Sequence, residues 1–243
     1  MTSVRQLFGL EPDKFSGTLL NINAGSVAEY YGTALYDFPT QTQIDLAKQG
    51  AWGLDVLPVG TGDLYVYLIV HDDGTPVLMA SQQKFMGEVT VPVNYSIRRK
   101  LPFGVKYNPV WGGIPNFHLT HWPMPTITYT DAEYGSTWTP LAAGAATTWT
   151  DVDLSPWVPD NSRLVHLVAE VRYAAGIAGS GYIRSSGAQT VGKFAGSASP
   201  GSPFSSTTHS LRVTSALKIQ YRVTGTGARL YLYVSGYDMT EPA

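Results

Sequence analysis

Leu217-Lys218-Ile219-Gln220-Tyr221-Arg222-Val223 is the stretch that decides the fold class. Leu217, Ile219, Tyr221 and Val223 alternate with Lys218, Gln220 and Arg222. Successive side chains of a strand point to opposite faces, so this is a strand with one buried and one wet side. Downstream, Arg229 to Gly236 repeats the pattern. Leu230, Leu232 and Val234 share one face, and Tyr231, Tyr233 and Ser235 the other. Upstream, Arg163 to Tyr173 sets Val165, Leu167, Ala169 and Val171 on one face, and Leu211 to Val213 is a shorter strand. In the first half, Leu64-Tyr65-Val66-Tyr67-Leu68-Ile69-Val70 is the strongest strand. It is apolar on both faces, which marks a central strand. Asp72-Asp73-Gly74-Thr75-Pro76 then reads as a hairpin turn, because Asp-Gly accepts the positive φ that tight turns need. Val77-Leu78-Met79-Ala80 is the return strand. Ile44 and Leu46, alternating with Gln43 and Asp45, form another strand.

Composition agrees. Only 14% of the 243 residues are charged, against about 25% in an average soluble domain. Val, Thr and Tyr suit a pleated surface, and no helix longer than two turns is legible. A βαβ arrangement is unfavoured, since its crossovers need helices. The reading is all-β: two β-sandwich, jelly-roll-like domains in series after a short arm. The boundaries are 1–20 for the arm, 21–128 for the first domain and 129–243 for the second. In the arm, Val4, Leu7, Phe8 and Leu10 suit one helical turn, stopped by Gly9 and Pro12. Residues 103–125 carry Pro109, Pro115, Pro123 and Pro125 and read as irregular. Residues 174–210, rich in Gly, Ser and Ala, read as long loops.

Several chemistries are disfavoured. Net charge is −2, and a nucleic-acid binder needs a basic stripe. The one basic run, Arg98-Arg99-Lys100, reads as a strand edge or turn. With no cysteine, thiolate metal sites and disulfides are excluded. No secretory leader or apolar span of about eighteen residues is legible, so no membrane insertion is expected. Gly187-Ala188-Gln189-Thr190-Val191-Gly192-Lys193-Phe194 imitates a phosphate-binding loop. Phe194 replaces the hydroxyl residue, and no helix comes after it. His118 and His121 lack further ligands, and His71, His166 and His209 read as isolated. Asp151 and Asp153 share a strand face and form a weak hydrolytic pair, equally suited to a strand edge or an Asx turn. No catalytic, metal or cofactor residues are assigned, and no cofactor is expected. The aromatics are the functional signal. Trp111, Trp122, Trp138, Trp149 and Trp157 are candidate glycan-binding residues, weighed against core or inter-subunit packing. Tyr65, Tyr67, Tyr231 and Tyr233 are candidates for an oligomer interface.

The stretch Gln43-Ile44-Asp45-Leu46-Ala47-Lys48-Gln49-Gly50-Ala51-Trp52-Gly53-Leu54-Asp55 resembles a segment of tailed-bacteriophage fibre and appendage proteins. The strand Tyr65-Val66-Tyr67-Leu68-Ile69 is similar to the next strand of those proteins. Pro92-Val93-Asn94-Tyr95-Ser96-Ile97-Arg98-Arg99 is similar to their Pro-x-x-Tyr stretch with its basic cluster. His166 to Val171 and Leu230 to Tyr237 look like the β-sandwich domain of the same proteins. The resemblance covers roughly residues 40–240 and implies a homotrimeric virion protein, assembled in the bacterial host cytoplasm. The arm would meet other virion proteins, and a bacterial surface glycan would be the ligand. Three readings stay open: an attachment fibre, which the resemblance favours; a capsid decoration, head fibre or tail adaptor with no receptor role; and a polysaccharide depolymerase.

Overall fold

The computed structural model describes residues 7–9, 12–16, 19–29, 34–57, 60–107, 117–120, 126–129, 138–187 and 192–239. It is all-β. Among the described residues the one helical element is a 3-10 turn at Met86–Glu88. The chain divides into two compact units, one running to Pro125 and one spanning Thr126–Thr240.

The first unit contains β1 (Leu7–Gly9), β2 (Pro12–Ser16), β3 (Leu19–Ile22), β4 (Gly25–Ala28), β5 (Leu35–Phe38), β6 (Thr42–Asp45), β7 (Gly62–His71), β8 (Pro76–Ser81), β9 (Tyr95–Tyr107) and β10 (Phe117–Thr120). Three three-stranded sheets have the orders β1-β4-β5, β2-β3-β6 and β8-β7-β9. The separate N-terminal arm is therefore corrected: β1 pairs with β4 and β2 with β3. Gly9 and Pro12 stop a helix, but an extended chain tolerates both.

β7 is central, as its doubly apolar pattern requires. Both of its faces are closed by its own chain. Leu64, Val66 and Leu68 are fully buried on one side. On the other, Tyr65, Tyr67 and Ile69 pack with Val77, Met79 and Val89. Tyr65 and Tyr67 are thus core residues and not an oligomer interface. The Tyr67 hydroxyl donates to the Gln83 carbonyl at 2.5 Å. Burial pushes this phenol well above its ordinary pKa, with Asp55 adding to the shift. The Asp72–Pro76 turn forms as expected. His71 N–H donates to Thr75 O at 3.0 Å, Thr75 N–H donates to Asp73 Oδ1 at 2.8 Å, and Gly74 takes φ +91°. β9 pairs with β7 up to Tyr107, with one register shift between Lys100 and Gly104, where Pro102 has no N–H to offer, and another between Ile97 and Arg99. The basic run lies in β9: Arg98 meets Glu29 at 3.2 Å, Arg99 donates to Ala28 O, and Lys100 donates to Lys84 O.

The second unit contains β11 (Thr126–Tyr129), β12 (Leu141–Gly144), β13 (Thr150–Asp153), β14 (Ser162–Tyr173), β15 (Gly179–Ser185), β16 (Lys193–Ala198), β17 (Phe204–Arg212), β18 (Lys218–Val223) and β19 (Ala228–Met239). One sheet runs β12-β19-β14-β17, with β11 also on β19; the other runs β13-β18-β15-β16. The eight strands from β12 to β19 have the connectivity of a jelly roll. Val165, Leu167, Ala169, Leu230 and Leu232 line one inner face, and Ile219, Val223, Ile183 and Ala195 the other. Burying each larger aliphatic side chain contributes about 1.5–3 kcal/mol.

The loop reading of 174–210 is corrected, because β15, β16 and most of β17 lie there. Its small residues serve packing. A Cβ on Gly181 would sit 2.7 Å from Val171 Cγ2 and 3.1 Å from Leu230 Cδ1, so the facing sheet leaves no room for one. Tyr233 is buried and Tyr231 half-buried. Arg172 lies 4.4 Å over the Tyr231 ring and bonds the Tyr233 hydroxyl at 3.3 Å. Tyr233 is therefore a buried residue held by its own chain, which corrects its assignment to an oligomer interface, while Tyr231 keeps a partly open surface beside Arg172.

Two substitutions probe these contacts. Gly179→Ala would place its Cβ 1.5 Å from the Thr224 carbonyl oxygen, a backbone atom that cannot step aside. Chemical unfolding should show a loss of about 2 kcal/mol or more. The Asp73 carboxyl is held at about 2, below its ordinary 3.8, chiefly by the Thr75 N–H. Its contribution to stability is present above its unfolded pKa and fades as pH falls toward 2. Carboxyl NMR titration should find that value, and Asp73→Asn should flatten the acid limb of the stability curve.

Candidate functional site

Alternation on β18 buries Ile219, Tyr221 and Val223 and turns Lys218, Gln220 and Arg222 outward. β15 adds Tyr182 and Arg184 to the same outer face, opposite Arg222 and Gln220. A bulge in the β15–β16 pairing sets Phe194 opposite Tyr182 and Gly196 opposite Gly181. The extra residue, Ala195, is buried, so Phe194 faces outward at 53% exposure. Its ring meets Tyr182 edge to face at 5.9 Å.

Trp149 enters this face just before β13. Arg184 lies 4.2 Å and Arg222 5.0 Å from its ring centre, and Arg222 also lies 5.3 Å over Tyr182. The indole approaches the chain at Gly192, where a Cβ would meet Trp149 Cη2 at 2.1 Å. Arg184 Nε donates to Gln220 Oε1 at 2.9 Å, and Gln220 Nε2 donates to Asp151 Oδ1 at 2.9 Å. This row of aromatic faces, guanidinium groups and an oriented amide suits a sugar ring with polar substituents.

The other expected residues are placed differently. Trp138 is 6% exposed and packs on Tyr129 at 4.4 Å, so it is a core residue and offers no open face. Trp157 is half-buried, and its carbonyl accepts the Tyr129 hydroxyl at 2.9 Å. Trp111, Trp122 and His121 lie outside the described residues. Asp151 and Asp153 are both exposed on β13. Asp151 is held by Gln220 and lies 3.9 Å from Lys218. Asp153 accepts the Ser155 N–H at 2.9 Å, closing an Asx turn. The phosphate-loop imitation ends in strand β16, beginning at Lys193.

His166 is not isolated. Its Nδ1 lies 2.8 Å from Ser210 Oγ and its Nε2 2.8 Å from Asp238 Oδ1. Thr126 Oγ1 donates to the same carboxylate oxygen at 2.7 Å. The chain crosses four strands of the outer face of the β19 sheet. A depression of about 280 Å³ beside it is lined by His166, Leu167, Thr208, His209, Ser210 and Ser235. Burial lowers the His209 pKa, and Lys193 lowers it further. Hydroxyl, imidazole and carboxylate are the groups of nucleophilic serine catalysis. Here both imidazole nitrogens are tied across a sheet, which makes the chain a cross-strand clamp. Sequence reasoning missed it because Ser210, His166 and Asp238 meet through strand register alone.

No family model matches the chain, and no curated protein matches it.

His166→Ala would leave the nearly buried Asp238 carboxylate with Thr126 and without its imidazole. Denaturant unfolding should register a loss of about 1–3 kcal/mol. His166→Asn should recover part of it.

Proposed function

We propose that the protein is a non-enzymatic structural component of a bacterial virus, a fibre or tail appendage that holds the particle to its host surface. The observation that carries this reading is the outer face of the β13-β18-β15-β16 sheet. Trp149, Tyr182 and Phe194 stand there beside two arginines, on a jelly-roll frame. Aromatic faces with polar groups around them bind sugars, and sheet-borne side chains are held more firmly than loop-borne ones. A bacterial surface glycan is accordingly the proposed ligand. The resemblance of short strings in the sequence to phage appendages supports the same reading and adds a homotrimer to the proposal. Three copies would turn weak sugar contacts into useful avidity. No cofactor has a part in this function.

Fluorescently labelled protein is expected to bind cells of the right host, and excess protein to block adsorption of the phage. Trp149→Ala should weaken cell binding by about tenfold or more while far-UV circular dichroism stays unchanged. If folded protein binds no strain that its phage infects, the attachment reading falls. The role then becomes capsid decoration or tail adaptor.

A further inference from the structure

We infer that this outer face takes an acidic polysaccharide, with Arg184 and Arg222 receiving a carboxylate or phosphate group of the chain beside Trp149. The inference rests on the attachment reading for the source of the ligand and adds its chemical class.

The charge arrangement points there. Two arginines elsewhere in the protein are matched to carboxylates, while Arg99 and Arg229 donate to backbone carbonyls. Arg172 grips Glu170 through two bonds of 2.8 Å, and Arg98 meets Glu29 at 3.2 Å. Arg184 and Arg222 have no carboxylate partner among the described residues. Arg184 spends its Nε on Gln220, an uncharged amide that stands between it and Asp151. That bond fixes the plane of the guanidinium, and its two terminal nitrogens have no acceptor among the described residues. Arg222 is more exceptional. Its Nε is enclosed by protein with no hydrogen-bond partner among the described residues, so its terminal nitrogens are the ones that can face a ligand. A buried donor without an acceptor is costly, and natural proteins keep such groups rare. Both cations sit within 5.0 Å of one indole, so they also repel each other. A single anionic group placed here would relieve the repulsion and supply acceptors to both forks.

The aromatic rings narrow the class further. Phe194 and Tyr182 extend the face beyond the guanidinium pair, and Phe194 is largely exposed. A bare anion would make no use of them, whereas the next sugar of a chain would lay its apolar face there. A nucleic acid also carries anions and flat rings. It favours a continuous basic track, and here Asp151 lies opposite Gln220 and interrupts one.

Titration calorimetry of the full chain tests this with four probes: polygalacturonate, a polysaccharide bearing glycerol phosphate, neutral dextran and a single-stranded oligonucleotide. One or both acidic polysaccharides should bind, more weakly as salt rises. Arg222→Gln and Arg184→Gln should each lower affinity about tenfold or more, and Arg222→Lys should fall between. Arg212→Gln, an exposed arginine on the other sheet, should change nothing. Circular dichroism and the unfolding midpoint confirm that each variant is folded. Equal binding of dextran overturns the acidic class. Preferential binding of the oligonucleotide overturns it in favour of nucleic acid. Equal loss in Arg212→Gln reduces it to general charge attraction. If the protein binds host cells but neither acidic polysaccharide, this inference falls and the attachment reading stands. If it binds an acidic polysaccharide through these arginines but no host cell, the site stands and the attachment reading falls.

Discussion

β14 and β19 run side by side from Ser162 opposite Met239 to Tyr173 opposite Ala228. The whole second unit hangs on that ladder. The two strands are far apart in sequence, so their pairing must offset the entropy of closing the long loop between them. Once paired, they hold the centre of one sheet, and each of the other strands has a fixed place. β17 joins the free side of β14, while β11 and β12 share the free side of β19. β15 and β18 then lie across the inner face, where Val171 and Leu230 meet Gly181.

The ladder is irregular in a way that creates chemistry. Its register shifts between His166 and Leu167, so that His166 faces Gly236 while Leu167 faces Val234. Ser235 is the extra residue. Without it, strict alternation would turn Tyr237 outward and Asp238 inward. With it, Val234 and Tyr237 are both buried, and Asp238 reaches the same face as His166. The β15–β16 pair has a comparable bulge, which buries Ala195 and Gly196 and leaves Phe194 beside Tyr182. Bulges commonly re-aim side chains in this way. Here one of them completes a polar clamp and the other completes an aromatic face.

The same close packing explains the odd composition. Low charge and abundant glycine, serine and threonine suggest loops when read one residue at a time. In the second unit they belong to strands whose partners come too near for larger side chains. Ser205 and Thr207 on β17 bond the backbone of β16 at Ser197 and Ala195. Hydroxyls are placed there because β16 and β17 belong to different sheets and their facing edges still need acceptors and donors met. The tyrosines of β7 and β19 teach a related lesson. An apolar second face invites the idea of a sister subunit, yet at Tyr65, Tyr67 and Tyr233 that face is covered by the protein's own chain.

Periodicity alone determined the strand character of Arg163–Tyr173, Leu217–Val223 and Arg229–Val234, because burial on one face imposes a period of two wherever the strand is regular, and Leu64–Val70 was legible as a short continuous apolar run closed by a turn. The Asp-Gly turn was equally legible, since its backbone preference is local. Among the candidate site residues, Trp149 was legible as an aromatic of interest and Trp138 was indistinguishable from it. Both are tryptophans in the same region, and only packing decides that one is core and the other faces outward. Register, bulge position and the choice of strand neighbours were settled by tertiary structure. They depend on which distant segments fit against each other, and a sequence pattern of period two is blind to a partner's identity. The meeting of Ser210, His166 and Asp238, and of Arg184, Arg222 and Trp149, belongs to that second class.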